Sequence, residues 1–353
     1  MTNPYSDLPP RAFWRSAVAE AGAFGLEGLW QPKFPIRPAH RIVTAGSCFA
    51  QHIGRALAAD GYGWLDAEPA PPFLNEEAAR RFNYGVFSCR TGNIYTPAML
   101  DQWLDIALDD AEAHPECWLQ DGRVFDPLRP AIEPGGFGDP AEFRAARART
   151  GAALKRAVSA ADIFVFTLGL TEAWVNAESG LEYAMCPGTH AGTYDPEVHV
   201  FRNRRMADIA ETLERAIRRM RGLNPDLRVL LTVSPVPLTA TASGRHVLTA
   251  TSHSKSILRA VAGQVAEDDV GVDYFPSYEI ITHPVFRGVF YQPNMRSVAP
   301  EGVATVMRHF FGDQARAFPR KGRRNRVALA GKPLKSMDVV CEEEMLSAFG
   351  PAR

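Results

Sequence analysis

The alternation of apolar and polar residues along the chain predicts strands and helices in regular succession. Short apolar, β-branched runs predict buried strands near residues 41–46, 162–168, 228–233 and 271–275. Apolar residues at helical spacing predict a helix from the first strand to about residue 60, and further helices near 97–110, 140–160, 206–221, 254–267 and 300–311. Strands that alternate with helices indicate a parallel sheet covered on both faces. We therefore expect one α/β/α domain with a five-strand, mostly parallel sheet.

The regions outside this pattern suggest how the chain is divided. Residues 1–34 carry several prolines and aromatics and predict an irregular N-terminal lead. Residues 35–312 hold the α/β pattern, with two irregular insertions: residues 111–138, where short strands such as 122–125 are expected, and residues 175–205. Residues 313–353 include a basic run at 320–326, which predicts a basic, partly mobile tail.

Composition narrows the class of protein. Of 353 residues, 46% are hydrophobic, which is enough for a full core, and 39 Lys+Arg balance 40 Asp+Glu. The balanced charge gives no reason to expect a nucleic-acid partner. No apolar run is long enough to span a membrane, and no secretory leader is apparent at the start. The five cysteines are widely spaced and odd in number, which fits a reducing cytoplasm better than a disulfide framework.

Ser47 stands where the first predicted strand meets the first predicted helix. In open parallel sheets, ligands bind at the carboxyl edge of the strands. A helix N-terminus also offers N–H groups and a positive dipole end that stabilise a developing oxyanion. Ser47 is therefore a candidate nucleophile, and the alternative is that it only caps the helix. Cys48 is a rival nucleophile, because a thiol at a helix N-terminus can have a lowered pKa.

Several blocks of the chain, in order, resemble one family. The first is Gly46-Ser47-Cys48-Phe49-Ala50, and the others are Asn83-Tyr84-Gly85-Val86-Phe87-Ser88, Thr167-Leu168-Gly169-Leu170-Thr171-Glu172-Ala173-Trp174, Thr232-Val233-Ser234-Pro235-Val236, Ser254-Lys255 and Tyr274-Phe275-Pro276-Ser277-Tyr278-Glu279-Ile280. Over roughly residues 35–311 the chain resembles the GSCFA family. That family is similar to the SGNH/GDSL hydrolases, which are esterases and acyl transferases with a flavodoxin-like α/β/α fold.

The resemblance implies roles for particular residues. Ser47 would be the nucleophile, with its own backbone N–H as one oxyanion donor. The Asn83–Gly85 turn resembles the block that supplies a glycine N–H, which here is Gly85. The next block has the pattern Gly-x-Asn, in which the asparagine side chain is a further oxyanion donor. Here the corresponding residues are Gly169, Leu170 and Thr171, so Thr171 stands in place of the asparagine. Thr171 would then donate through its hydroxyl, with Glu172 beside it; helix capping is the alternative role for both residues.

The resemblance fails at the general base. SGNH enzymes carry Asp-x-x-His before the last helix, where this chain has Asn294 and Ser297, and neither can act as a base near neutral pH. We expect an atypical histidine instead. His246 is the first candidate, His283 the second and His199 the third, because these residues follow strands or lie in an insertion. Glu279, at the end of the last strand, is the candidate carboxylate that orients the base.

Other chemistry is less well supported by the sequence. Cys186, His190, Asp195 and His199 lie close together, but their spacing matches no standard zinc motif. No glycine-rich phosphate loop follows a strand, so we expect neither a metal nor a nucleotide cofactor. Lys255 opens a predicted helix and could hold an anionic group of a substrate, although a surface charge is the simpler interpretation.

Together these observations predict a serine esterase or acyl transferase that acts on an acylated small molecule or glycan. Carbohydrate is implied only by the superfamily and by the aromatic, polar insertions. The alternative is a non-catalytic protein that binds a glycan or another ligand on a hydrolase scaffold without a base. The sequence leaves the acyl group, the acceptor and the oligomeric state open.

Overall fold

A five-stranded parallel sheet forms the centre of the molecule. The structure is a computed structural model that describes residues 3–319 and 342–350. The sheet contains β1 (Arg41–Gly46), β2 (Gly63–Trp64), β5 (Ile163–Leu168), β9 (Arg228–Val233) and β10 (Val272–Tyr274), in the spatial order β10-β9-β5-β1-β2. All of its neighbouring strands pair in parallel. The predicted parallel α/β sheet is confirmed.

The order of these strands is that of flavodoxin-like folds. Numbered along the chain among themselves, the strands lie in the order 2-1-3-4-5. The chain therefore changes direction across the sheet between β1 and β5, where Gly46 is paired with Thr167. In this type of sheet, ligands bind at the carboxyl ends of the strands beside that switch point.

Helices cover both faces of the sheet. Their bounds are α1 Phe49–Ala59, α2 Glu76–Arg81, α3 Pro97–Leu104, α4 Pro140–Ala160, α5 Met206–Leu223, α6 Val247–Asp268, α7 Ser277–Thr282 and α8 Pro300–Ala317. Alternate strand residues face opposite ways, so Val43 joins the core under α3–α6 while Ile42 joins the core under α1, α7 and α8. The result is the expected three-layer architecture.

Local signals in the sequence explain several element boundaries. Gly61, with φ of 78°, ends α1 in the left-handed conformation that glycine tolerates. Asp139 caps α4 by accepting hydrogen bonds from the N–H groups of Ala141 and Glu142, and Pro140 is the first helical residue. The first-strand, α4, β5 and β9 predictions agree with the structure to within about a residue.

The first insertion contains short strands as expected, and the second is more regular than expected. β3 (Trp118–Gln120) and β4 (Arg123–Phe125) form a hairpin around Asp121 and Gly122. β6 (Glu172–Asn176), β7 (Glu182–Tyr183) and β8 (His199–Asn203) form a three-stranded antiparallel sheet in the order β7-β6-β8. The predicted helix 254–267 begins seven residues earlier, at Val247, and the helix predicted to end at 311 continues to Ala317. The short strands of the second insertion escape detection because their residues show too little periodicity.

Both ends of the chain have described segments that pack on the domain. In the N-terminal lead, Trp30 stacks on Phe310, with ring centroids 5.3 Å apart, and Phe34 is buried in the same core. Residues Glu342–Phe349 form a 3₁₀-helical segment whose first two residues are buried. The basic run at 320–326 and Cys341 lie outside the described residues. Among the helices that the structure describes, none is long and apolar enough to cross a membrane.

Candidate functional site

Ser47 lies at the switch point of the sheet, directly after β1. Its N–H donates to the carbonyl oxygen of Thr167 at 3.0 Å, which continues the pairing of β1 with β5 by one residue. Gly46 makes this close approach feasible, because its φ is 129° and a Cβ there would lie 2.4 Å from the Thr167 oxygen. The strand end therefore requires glycine and sets the direction in which Ser47 leaves the sheet.

The hydroxyl of Ser47 is buried and does not cap α1. The side chain is 2% exposed, and its Oγ has no hydrogen-bond partner among the residues that the structure describes. The N-cap residue of α1 is Cys48, whose side chain makes no capping hydrogen bond. The alternative role of Ser47 as a helix cap therefore does not account for this hydroxyl. Buried hydroxyls without partners are uncommon and often belong to functional sites.

Gly169 and Tyr95 form the wall next to Ser47. A Cβ on Gly169 would lie 3.0 Å from the Ser47 Cβ and 3.1 Å from both the Tyr95 Cδ1 and its carbonyl oxygen. The N–H of Gly169 donates to that same oxygen at 2.9 Å. On the other side, the N–H of Ile94 donates to the Gly46 oxygen at 2.9 Å. Gly169, which follows β5, and Ile94 and Tyr95, which precede α3, thus meet beside Ser47.

Lys255 reaches this wall from α6. Its side chain is 1% exposed, and its Nζ donates to the Gly169 carbonyl oxygen at 2.7 Å. The preceding Ser254 accepts the N–H of Thr171 at 3.0 Å. The expectation of a surface lysine at this position is wrong, because the helix begins earlier and turns Lys255 into the interior. Only Gly169 therefore separates the Lys255 ammonium group from the Ser47 side chain.

Thr171 directly precedes the antiparallel sheet and Glu172 begins it, so neither residue caps a helix. The Thr171 hydroxyl donates to the Asn203 side-chain oxygen at 2.8 Å. Glu172 is the first residue of β6, and both of its carboxylate oxygens lie 2.8 Å from the Thr241 hydroxyl. Burial raises the pKa of Glu172 above its usual value. An oxyanion role for Thr171 stays a prediction, and it requires the hydroxyl to turn away from Asn203.

The Asn83–Gly85 turn lies in an exposed loop after α2. Gly85 has φ of 66° and open space around it, so glycine is favoured there by its backbone conformation. Asn83 also has a positive φ, of 58°, and its amide donates to the Ala131 carbonyl oxygen at 3.1 Å. These contacts explain the turn by local structure, and the oxyanion role of Gly85 stays a prediction.

His246 and His283 occupy N-cap positions. The Nδ1 of His246 accepts the N–H of Leu248 at 3.2 Å at the start of α6, and the Nδ1 of His283 accepts the N–H of Val285 at 3.3 Å. A neutral imidazole that accepts at Nδ1 carries its proton on Nε2. To take a proton from Ser47, either ring must first give up its cap. Neither ring is hydrogen-bonded to Ser47 in this structure, so their role as base stays a prediction.

Glu279 and His199 also have structural partners. The Glu279 carboxylate accepts hydrogen bonds from Arg259 and, at 2.8 Å, from the hydroxyl of Tyr274. The Nδ1 of His199 accepts the N–H of Asp195 at 2.9 Å, and its ring lies against that of Tyr183. Within the described part of the chain, no group of three or more histidine, cysteine or acidic side chains is arranged to hold a metal ion.

Asn294 and Ser297 form a closed turn just before α8. The Asn294 amide donates to the Ser297 hydroxyl at 2.9 Å, and the Ser297 N–H donates back to the Asn294 side-chain oxygen at 2.9 Å. Asn294 and Ser297, which stand where SGNH enzymes carry Asp and His, therefore contact each other, but neither side chain is a titratable base. Arg296, between them, has a side chain that is only 14% exposed.

The segment Glu342–Phe349, called here the C-terminal cap, lies over this region. Glu342 is 2% exposed and accepts hydrogen bonds from the Asn93 amide and, at 3.0 Å, from the Tyr95 hydroxyl. Glu343 is 8% exposed and lies 3.5 Å from Arg296. Sequence reasoning missed the cap because its three consecutive glutamates are typical of a solvated end. The only signal was the apolar pair that follows, Met345 and Leu346.

A cavity of about 290 Å³ opens between the cap and the antiparallel sheet. Its lining is mostly apolar and includes Leu170, Trp174 and Met185, with Leu346 and Phe349 contributed by the cap. Tyr95, which belongs to the wall next to Ser47, also lines the cavity. Apolar pockets with a few polar groups are typical of small-molecule sites.

The fold and the site define an α/β protein with a buried serine at the switch point of a flavodoxin-like sheet. The chain belongs to the GSCFA family, whose model matches residues 41–310. The predicted family is thereby confirmed, and the matched region runs from β1 into α8. Comparison with curated proteins and with solved structures found no match.

Proposed function

We propose that this protein is a serine esterase or acyl transferase of the SGNH type, with Ser47 as the nucleophile. The observation that carries the proposal is the buried Ser47 hydroxyl, which has no partner among the described residues and lies at the switch point beside the N-terminus of α1. That position supplies backbone N–H groups and a positive dipole end for an oxyanion. The proposed substrate is an acylated small molecule or glycan.

The proposed reaction begins with attack of the Ser47 oxygen on the acyl carbonyl carbon. A tetrahedral oxyanion forms and collapses to an acyl-enzyme as the alcohol leaves, and water or a second alcohol then takes the acyl group. In this structure the Ser47 N–H donates to the Thr167 carbonyl oxygen, so an oxyanion would compete with that carbonyl for the donor. The adjacent apolar cavity is suited to the acyl chain or to an apolar face of the acceptor.

The general base must come from outside the Asn294–Ser297 turn. His246 and His283 stay the proposed bases, and each would have to leave its cap before it could accept a proton. Glu279 would have to exchange Arg259 for His283 in order to orient that ring. The proposal therefore includes movement of the loop before α6 or of the turn after α7.

A second candidate is a non-catalytic binding protein on the same scaffold. It is favoured by the Asn294–Ser297 turn, which replaces the base-bearing block with two groups that satisfy each other. In that case the cavity would bind its ligand without reaction, and the Ser47 hydroxyl would be a binding group.

Labelling with a fluorophosphonate, followed by peptide mapping, separates the two candidates. The probe phosphonylates only an activated hydroxyl. Modification of the peptide that contains Ser47 supports the esterase proposal. No modification of Ser47, in protein shown to be folded by its thermal transition, favours the binding protein.

A further inference from the structure

One buried carboxylate in this structure lies 3.5 Å from an arginine and is also influenced by the charge of a buried lysine. Lys255 comes from α6 and Arg296 from the turn before α8, and the carboxylate belongs to Glu343 of the C-terminal cap. Lys255 is 1% exposed and the Arg296 side chain 14% exposed. Burying such cations is costly unless an anion accompanies them, so the pair forms a site for negative charge.

The contacts of Glu343 show how this site recognises a carboxylate. An Arg296 nitrogen lies 3.5 Å from a Glu343 carboxylate oxygen. Burial raises the pKa of Glu343, whereas the charges of Arg296 and Lys255 and the backbone N–H of Thr239 act in the opposite direction. The neighbouring Glu344 is exposed and reaches Arg296 from the solvent side at 3.3 Å. Of the two carboxylates that contact Arg296, only that of Glu343 is enclosed by the protein.

The same site is adjacent to Ser47. The Lys255 Nζ donates to the carbonyl of Gly169, and Gly169 packs against the Ser47 side chain. Tyr95, which also packs against Gly169, donates its hydroxyl to Glu342. The cap therefore places Glu342 on Tyr95 and Glu343 on Arg296, while Tyr95 and Lys255 both contact Gly169 in the wall next to Ser47.

We propose that Lys255 and Arg296 form a subsite for a carboxylate of the substrate, and that Glu343 occupies this subsite as an internal ligand. An external carboxylate and the C-terminal cap then exclude each other. The substrate class is an acyl compound that carries a carboxylate, with its apolar part against Leu170, Trp174 and Met185, which line the cavity from outside the cap. This inference rests on the proposed function for its link to Ser47, but the binding of a carboxylate can be measured without any reaction.

The binding experiment uses glutarate, whose carboxylate resembles the end of a glutamate side chain, titrated into the full chain by calorimetry. Glu343→Gln removes the internal charge and should bind glutarate at least about tenfold more tightly than wild type. Glu344→Gln is the matched control, because it removes an exposed carboxylate from the same segment, and it should change the affinity less than threefold. No gain in Glu343→Gln, or an equal gain in both variants, would overturn the proposal.

A second variant tests the role of Arg296. Arg296→Gln, combined with Glu343→Gln, should lose the glutarate affinity that the single variant gains, and because Arg296 lies in a turn, this variant is expected to fold; its thermal transition checks this. Retention of the affinity would overturn the role of Arg296. Inorganic phosphate is titrated in parallel, and tighter binding of phosphate than of glutarate would overturn the assignment to a carboxylate.

Labelling of Ser47 then distinguishes this inference from the proposed function. Glu343→Gln should react with a fluorophosphonate faster than wild type, and glutarate should slow that reaction. If Ser47 is not labelled in any variant, the proposed esterase function fails, while the calorimetric result still decides whether the carboxylate subsite exists.

Discussion

The ammonium group of Lys255 donates a 2.7 Å hydrogen bond to the carbonyl oxygen of Gly169. Gly169 in turn has no space for a side chain, because a Cβ there would lie 3.0 Å from the Ser47 Cβ. A buried cation thus supports the residue that packs against the proposed nucleophile. Changes at this wall should affect the reactivity of Ser47 more than the stability of the sheet.

The first prediction concerns the identity of the nucleophile. Ser47→Ala should abolish fluorophosphonate labelling and turnover, because the hydroxyl that attacks is removed. Cys48→Ala should keep both above about a tenth of wild type, because the attacking oxygen of Ser47 is still present. The reverse pattern would mean that the chemistry is thiol-based.

The second prediction concerns the wall next to Ser47. Gly169→Ala should lower the labelling rate at least about tenfold, because the added methyl group lies 3.0–3.1 Å from Ser47 and Tyr95 and one of its contacts is a backbone oxygen. Gly222→Ala is the control, since a Cβ there has nothing within 4 Å. Labelling of Gly169→Ala at the wild-type rate would show that this wall does not restrict the site.

The third prediction concerns Thr171. Since its hydroxyl donates to Asn203, Thr171→Val should lower the free energy of unfolding by about 1 kcal/mol. If this structural hydrogen bond is the whole role of the hydroxyl, labelling stays within threefold of wild type. Removal of an oxyanion donor would instead reduce turnover about 10²–10³-fold. Denaturant unfolding and labelling of the same sample decide between these roles, and a hundredfold loss with unchanged stability would assign Thr171 to the oxyanion.

The fourth prediction is a pH dependence of stability that arises from His52 in α1. Burial, with the nearby charge of Arg55, lowers the pKa of His52 from 6.5 to about 4. Between these values the unfolded state binds more protons than the folded state, so stability falls as the pH drops from 6.5 towards 4. The loss is about 3 kcal/mol at most. His52→Gln should remove this slope in urea unfolding, whereas His253→Gln, at an exposed position, should retain it.

The fifth prediction concerns the buried ion pairs of Asp126. Its carboxylate accepts hydrogen bonds from Arg129, at 2.8 Å, and from Arg147, and these cations hold its pKa below 3.8. This stabilisation is complete above that value and is lost as the pH falls through the folded pKa. Asp126→Asn should cost about 3–5 kcal/mol at pH 7, because two buried arginines lose their counter-charge.

The control for this change is Asp121→Asn in the β3–β4 hairpin. Asp121 has φ of 50°, a conformation that asparagine also tolerates, so its stability should change by less than about 0.5 kcal/mol. Guanidinium unfolding at pH 7 compares the two variants. Equal stability would show that the Asp126 network contributes nothing net.

Much of the fold could be predicted from local patterns. β1, β5 and β9 are buried on both faces and therefore appear as continuous apolar runs. The Asp139-Pro140 pair marks the start of α4 by its cap and its fixed φ. The three-stranded sheet at 172–203 was missed, because β7 has only two residues and its pairing with β6 depends on contacts between segments rather than on local pattern.

The sequence by itself determined the family, the α/β class and the position of Ser47 at the end of the first strand. These features depend on residues that are neighbours in the chain. Only the tertiary structure decided that Lys255 is buried against Gly169, that His246 and His283 serve as helix caps, and that Glu343 reaches Arg296. Each of these contacts joins distant elements or depends on where a helix begins, and packing of the whole domain sets both.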